Sequence, residues 1–584
     1  MHGLTGDASA AGEFGDAQRC AAVQVGEHGR VRRRYVVHAG GGETLQQLVR
    51  EPPDASLQEC EQWQVCVVVV GIAHDCGPFA GEVRSCVSNA YTEGVSRALG
   101  THARSLEIYD QLGILGDIAP HGTRVNAFIR HHGSHAARVD YDFGGLATRF
   151  PYMFDLDQVV TERVLRGYAA AAGVGVEWNT GLESFEHDDD AVTVELRSGD
   201  GSDATQETVR ARYLWGCDGG HSTVRKTLQL PLVGEAAHTW LIADAIVHTD
   251  LDRDGLHWLF PPGGALMLFP FPDPGKWRLL DMTGEGESED PGQIARQFST
   301  KLSQTLERDT IVEIPSWVSK FTIQQRAVPT MHVGRCFVSG DAAHIHSPAS
   351  GQGLNTGIQD AYNLAWKLAM VVHGHADAVL LDTYDAERVP IGRALLASTG
   401  EVMDTTMADT TTTDTQDADS AFARKLIRNM SGLMIEYPNS PLTVPDDEPG
   451  EGPRPGQRLT QISAADAQSP GWMVLRAVLR TPAWHLLVFT GNRQPTSPDQ
   501  VTADTTSLPA WLDTVTISRQ RLDHDDRGVW DPDSRVHDTL NATDGDWILV
   551  RPDGYLSARG AGHTSLHAAL DRLTGLHVRE PARA

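Results

Sequence analysis

Cysteine is scarce and badly distributed for cross-linking: seven in 584 residues, five of them before residue 87 and none after Cys336. An odd number placed this way excludes a disulfide framework and fits a reduced, cytoplasmic protein. It also denies dithiol chemistry to the C-terminal third. Positive charge is in deficit, with 49 Lys and Arg against 77 Asp and Glu and a formal net charge of −28. That balance argues against nucleic acid and against anionic membrane surfaces as partners. Long apolar runs are missing too. VCVVVVGIA, from Val65, suits one buried strand and falls well short of the ~20 residues of a spanning helix. No secretory leader is expected, because Met1 is followed by a small, polar, glycine-rich segment without an apolar core. The acidic run from Glu186 to Asp190 has no histidine at ligand spacing on an opposing element, so it reads as a solvated hairpin turn and no metal site is expected.

What is present is a chain 40% apolar and long enough for two or three domains with their own cores. The most informative stretch is CFVSGDAAHIHSPASGQGLNTGIQDAYNLAWKL, from Cys336. Phe337 and Val338 open it as a short strand that runs into Gly340-Asp341, and a loop with Pro348, Gly351 and Gly353 follows. Ile358, Ala361, Leu364, Ala365 and Leu368 then recur at helical spacing. A strand ending on Gly-Asp can aim a carboxylate at sugar hydroxyls, and a glycine-rich turn into a helix offers bare N–H groups and a positive dipole end. A lone crossover of this kind owes its glycines to packing. Here Gly-Asp, Pro348, the Gly-Gln-Gly-Leu-Asn turn and Asp360 crowd together, which points to a ligand.

A second signal, YLWGCDGGHSTVRKTL, begins at Tyr213. An apolar strand ends at Asp218-Gly219-Gly220, and a helix starts at Ser222 with Arg225 placed to anchor the loop or neutralise phosphate charge. SRALGTHARSLEIYDQLGI, from Ser96, reads as a loop and an amphipathic helix with Leu106, Tyr109 and Leu112 on one face and Gly113 as its stop. In PYMFDLDQVVTERVLRGYAAAAG a helix carries Val159, Val160, Val164 and Leu165 inward. Between the two strand-end motifs lies a β-rich segment. Trp258, Phe260, Met267, Phe269 and Phe271 are its candidates to face a flat aromatic ligand, two of them lining the site and the rest forming sheet core.

These motifs, in this order, resemble the FAD-dependent aromatic hydroxylases, single-component monooxygenases similar to para-hydroxybenzoate and phenol hydroxylase, in the polyketide hydroxylase branch. The resemblance implies an α/β fold. It would consist of a Rossmann-like FAD-binding domain of the para-hydroxybenzoate hydroxylase type, an inserted β-sheet substrate domain and a C-terminal thioredoxin-like domain. The implied divisions are residues 1–64, an anomalous segment expected to be disordered; 65–232 and 321–400, the FAD-binding domain; 233–320, the substrate sheet; 401–454, a linker and helical segment; and 455–584, the thioredoxin-like domain without cysteines. By the same resemblance Asp341, after Gly340, binds the ribityl chain, and Pro348 flanks the reactive edge of the isoalloxazine. The turn at Gly351 leads to Gly353, Leu354 and Asn355, whose backbone meets the pyrimidine end. Arg97 reaches the FAD, Gln158 (with Glu162) approaches it, and Asp218 meets the ribityl or pyrophosphate region.

The first ninety-five residues do not fit that pattern. The only candidate for the phosphate-binding GxGxxG turn is VVVVGIAHDCGPFAGEVR, where Gly71 fills the first glycine position but Ala73 and Cys76 stand at the second and third. Two readings compete: a divergent or added N-terminus, and a segment translated out of frame until the familiar register begins near Ser96. The implied activity is NAD(P)H-dependent hydroxylation of a phenolic or polycyclic polyketide substrate by O₂ through a flavin C4a-hydroperoxide. Baeyer–Villiger oxygenation of a polyketide ketone, or a catalytically silent small-molecule binder, are the alternatives. No residue stands out as a phenol-activating base, and His344 and His346 read as loop histidines that pack or hydrogen-bond. The terminal module's default role is assembly, with a homodimer among its outcomes.

Overall fold

The computed structural model describes residues 22–25, 31–38, 44–47, 83–87, 98–133, 135–141, 143, 146–199, 201–262, 264–283, 290–346, 351–407, 416–446, 451–490, 508–509, 511–521 and 528–574. Arg97, Pro348 and the stretch from Gly71 to Cys76 lie outside them. Within the segment predicted to be disordered, Ala22–Val25, Val31–His38 and Thr44–Gln47 pair as an antiparallel meander.

The framework that carries both strand-end motifs is built on short buried strands. Leu214–Gly216 runs parallel to Cys336–Val338, with Gly216 opposite Val338, and His332–Val333 completes the sheet. All six residues of the parallel pair are buried, which is why both strands read as unbroken apolar runs. The indole N–H of Trp215 donates to Ser339 Oγ (2.7 Å), and Ser339 Oγ in turn meets Tyr384 Oη (2.6 Å). The helix Gln352–Val372 packs behind this sheet on Ala361, Leu364 and Leu368, as its periodicity predicts. The hairpin of Thr180–His187 and Val192–Ser198 turns at the acidic run, where Asp188 Oδ1 accepts from the N–H of Asp190 and Ala191 (2.8 Å each).

Over this framework lies a nine-stranded sheet. Its main path runs His344–Ile345, Trp317–Ala327, Val233–His248, Lys276–Asp281, Leu266–Pro270, Gly255–Leu259, Ala127–His132 and His135–Asp140, and Ile311–Val312 pairs at Val247. The sheet thus also takes in residues 127–140, 321–327 and 344–345, outside the 233–320 read from sequence. The period-two alternation of strands sorts its side chains. Leu266 and Leu268 face the helix Pro291–Leu306, whereas Met267 and Phe269 share a second core with Trp258, Phe271 and Ile358.

Three further segments complete the fold. In the helix Gln158–Ala171 it is Thr161 that is buried beside Leu165, while Val159, Val160 and Val164 are half-buried. The Thr/Asp-rich stretch read as linker is helical at both ends, in Asp382–Met407 and Gln416–Met430. The C-terminal unit is a mixed sheet ordered Val529–Trp530, Leu512–Ser518, Trp484–Thr490, Asp546–Val550, Leu556–Ala561, with the first three parallel and the last two antiparallel. Helix Gly562–Thr574 follows the last strand. Among the described helices none is long and apolar enough to cross a membrane.

Candidate active site

Because Gly216 sits beside Val338 in a parallel pair, the chain leaves both strands in the same direction, and Asp218 and Gly340-Asp341 emerge side by side. The pairing continues one residue further, with Ser339 N–H donating to Gly216 O (3.0 Å). Gly340 has φ +58°, the left-handed region that turns the chain sharply and brings it within 3.7 Å of Gly357 Cα for any added Cβ. Asp341 is exposed at that corner. The two strand ends read from sequence therefore converge.

Asp218 does more than wait for a ligand. Its carboxylate accepts from Ser222 Oγ and from the N–H groups of Thr223 (2.6 Å) and Val224 (3.0 Å), capping the short helix Thr223–Thr227. Burial raises its pKa despite those bonds. Arg225, buried, donates to Gly220 O (2.9 Å) and Ala342 O (3.3 Å), so one guanidinium ties the loop after each strand to the other.

The helix that starts at Gln352 is entered through Gly351 at φ +60°. Asn355 is the hinge between this helix and the Ser96 region: its side-chain oxygen accepts from His102 N–H (2.8 Å), and its amide donates to Gly100 O (2.9 Å) and Gly351 O (2.7 Å). Gln158 holds the same region from the other side, its Oε1 accepting from Ala98 N–H (2.9 Å) while its amide donates to Glu162 (2.7 Å). The helix cap itself is Asp157, not Gln158. Leu354 is half-buried against the aromatic face of the roof sheet.

Beneath the loop lies a buried polar chain. Asp360 accepts from Gly340 N–H (3.0 Å), His344 Nε2–H (2.6 Å) and Arg388 Nε–H (2.7 Å), and Arg388 donates on to Tyr437 Oη (2.9 Å). Burial alone would raise the Asp360 pKa, but the charges of His344 and Arg388 and these bonds bring it down to about 2. The other face of His344 meets His346, Nδ1 to Nε2 at 2.8 Å, with the rings stacked. Desolvation and the neighbouring His344 hold the His346 pKa well below its ordinary value. Both histidines are thus engaged in hydrogen bonds. The signal for Asp360 was visible in sequence as an acidic residue amid the apolar positions of a helix; its partner Arg388 lies on another helix and leaves no local trace.

The flavin half of FAD fits what is here. A side chain at Gly353 or Gly219 would meet no heavy atom within 4 Å, so backbone stands open at both places. The N–H groups of a 21-residue helix point from Gln352 onward toward the paired strand ends. The roof closes over them with Trp258 and Phe260 stacked at 6.0 Å and Phe128 edge-on to Trp258 at 5.2 Å.

Comparison with known proteins agrees with this geometry. The family model described as "FAD binding domain" matches residues 85–399. The chain is 40% identical over 501 residues to a 6-methylpretetramide 4-monooxygenase of Streptomyces rimosus, covering 83% of this chain and 87% of that protein. It is 31% identical to a 12-dehydrotetracycline 5-monooxygenase/anhydrotetracycline 6-monooxygenase of Streptomyces rimosus subsp. rimosus, over 82% of this chain and 90% of the other. Among solved structures, an aromatic hydroxylase from angucycline biosynthesis superposes with a TM-score of 0.65 at 28% identity, covering 90% of this chain and all of that one (100%).

Proposed function

The chain belongs to the FAD binding domain family and is an FAD-dependent monooxygenase, and from that premise we propose that it hydroxylates a phenolic, polycyclic polyketide with NAD(P)H as electron source. The observation that carries this reading is the pairing of Leu214–Gly216 with Cys336–Val338, which brings Asp218 and Gly340-Asp341 together at the mouth of helix Gln352–Val372 beneath an aromatic sheet face. When bound, FAD would supply hydride acceptance and activation of O₂. The protein's own residues bind, orient and exclude water. Gly340 and Asp341 would hold the ribityl chain with Asp218 beside it, and the backbone at Gly351, Gly353, Leu354 and Asn355 would meet the pyrimidine ring. Arg97, Gln158 and Pro348 would border the cofactor, as the family resemblance implies. Two of Trp258, Phe260, Met267, Phe269 and Phe271 would line the flat, apolar wall that a fused aromatic ring system requires, the rest forming sheet core. Relatives acting on fused-ring polyketides support that substrate class.

We read the C-terminal unit as thioredoxin-like. Its parallel pair Trp484–Thr490 and Leu512–Ser518, the antiparallel hairpin Asp546–Val550 and Leu556–Ala561, and the closing helix support this. Its role would be assembly, compatible with a cytoplasmic homodimer.

The test is direct. Purified protein reconstituted with FAD is expected to be yellow, to oxidise NADH or NADPH faster when a polycyclic phenol is added, and to yield a product heavier by one oxygen atom. Colourless protein that rejects FAD would overturn the reading. Ring expansion of a ketone, with phenols untouched, would replace hydroxylation by Baeyer–Villiger oxygenation.

A further inference from the structure

Where the terminal unit meets the helix Ala103–Gln111, positive charge is in excess. That helix carries Glu107 and Asp110, and from the terminal unit Arg476, on the helix Pro470–Val478, and Arg480, just beyond it, reach Asp110. Glu107 is held by two buried guanidinium groups, Arg458 (2.6 and 2.8 Å) and Arg104 (3.1 Å). Asp110 is held by three, Arg476 (2.9 Å), Arg480 (3.2 Å) and Arg149. Two carboxylates thus face five guanidinium groups, an excess of three positive charges in a chain whose net charge is −28. The adjoining network, reached through the bond from Arg104 to Asp553 O (3.1 Å), sets Lys367 and Arg551 against Glu387 and Asp553 and balances by itself.

That excess surrounds an opening. Glu107, Asp110, Arg149, Leu459, Thr460 and Arg476 line a cavity of about 30 Å³. This is roughly twice the room that one ordered water needs. Arg149 donates to Asp110 through Nη1 alone, and among the described residues its Nε and Nη2 meet no acceptor. Arg480 spends Nε and Nη2 on Asp110 and leaves Nη1 over in the same way. Burial, with the charges of Arg149 and Arg480 pushing in the same direction, brings the Arg476 pKa down to about 10 in spite of Asp110. An anion held among these side chains would be attracted by all three.

We propose that this cavity binds a phosphate-class oxyanion, which clamps the terminal unit to the helix Ala103–Gln111. Guanidinium forks match paired oxygens better than a spherical halide, and Thr460 adds a hydroxyl to the wall. The cavity admits one compact ionic group, so a larger phosphate ester would leave its remainder outside in solvent. Two sources share this chemistry: free orthophosphate and, on the electron donor proposed above, the 2′-phosphate of NADPH. The site is separate from the flavin loop. Asn355 meets this helix at His102, its first end, whereas Asp110 stands at the other.

The experiment uses full-length, FAD-loaded protein, so that the flavin's own phosphate site is filled. Its thermal midpoint is followed at constant ionic strength in titrations with orthophosphate, with 2′,5′-ADP and with AMP. Phosphate raises the midpoint of any protein by exclusion from its surface, without saturating. The expected result is a saturable rise above that drift. In Arg149→Gln the half-saturating concentration is expected to rise about tenfold or more, the worth of a hydrogen bond to a charged group. Thr460→Val disturbs no ion pair and is expected to weaken binding about fivefold, which keeps the test decisive if Arg149→Gln does not fold. Saturation by orthophosphate assigns the site to the free ion. Saturation by 2′,5′-ADP, with orthophosphate and AMP silent, assigns it to the coenzyme. A midpoint that climbs without saturating in every titration, or a saturable rise that both variants leave unchanged, overturns the proposal.

Discussion

Arg551, on the strand side of the terminal unit, closes a two-pronged ion pair on Glu387 of the helix Asp382–Met407, Nη1 to Oε1 at 2.6 Å and Nη2 to Oε2 at 3.0 Å, with neither side chain open to solvent. Lys367 Nζ (2.8 Å) and Asn363 Nδ2 (2.6 Å) donate to the same carboxylate from the cofactor helix, and Ser440 Oγ (2.5 Å) completes it. One glutamate thus joins the helix behind the flavin loop to the terminal domain. The Lys367 pKa, lowered by burial and only partly restored by Glu387, comes to about 8.

Removing that carboxylate takes the counter-charge from buried Lys367 and leaves buried Arg551 with Asp553 alone. Glu387→Gln is expected to lose about 3–5 kcal/mol of unfolding free energy, read from urea denaturation followed by tryptophan fluorescence. A loss below about 1 kcal/mol would mean the pairs are hydrated and exposed in solution.

Acid should act on the loop itself. Folding lowers the Asp360 pKa from 3.8 to about 2. A carboxyl of this kind stabilises the fold above its ordinary pKa and loses that contribution as pH falls through the folded one. Stability is therefore expected to drop by about 2 kcal/mol between about pH 4 and pH 2 from this group. Glu387, also held below its ordinary range, adds in the same sense. In Asp360→Asn the acid slope should be shallower, measured by thermal midpoints across that window; an unchanged slope would refute the assignment.

Gly353 separates cofactor binding from folding. A methyl group there meets no protein atom within 4 Å and sits in a helix, where alanine is preferred to glycine by up to about 1 kcal/mol. Gly353→Ala is expected to keep or raise the apoprotein's stability while weakening FAD at least tenfold in a fluorescence titration. Equal FAD affinity would place the flavin elsewhere.

Arg225 couples the two strand-end loops. Arg225→Met forfeits two hydrogen bonds from a buried cation and is expected to cost about 2 kcal/mol together with weaker FAD retention on dialysis. Arg225→Lys, reaching fewer carbonyls, should fall between the two. FAD retention equal to wild type in the methionine variant would count against the bridge.

What could be read from the chain alone followed local periodicity. The helix behind the flavin loop, the strand ends at Asp218 and Asp341, and the hairpin at Asp188 each rest on neighbours in sequence, and the structure has them. The strands at 127–140 join the roof sheet, a partner their sequence does not name, because alternation says which side is buried but not against which sheet. Thr161 turns inward beside Leu165, while Val160 and Val164 pack on the edge of the same core. Arg551 and Arg458 looked like ordinary charged residues; only the fold supplies Glu387 and Glu107 at 2.6 Å.

The hydrogen bond from Trp215 to Ser339 joins positions 124 apart in the chain. A growing polypeptide must therefore emerge from the ribosome through the whole intervening roof before these two strand ends can meet. Capture of a cofactor held between them would thereby be scheduled late in biosynthesis, and the half-made chain would carry its aromatic roof strands uncovered while it waits. Supplying riboflavin or slowing synthesis during expression should raise the yield of yellow protein for that reason.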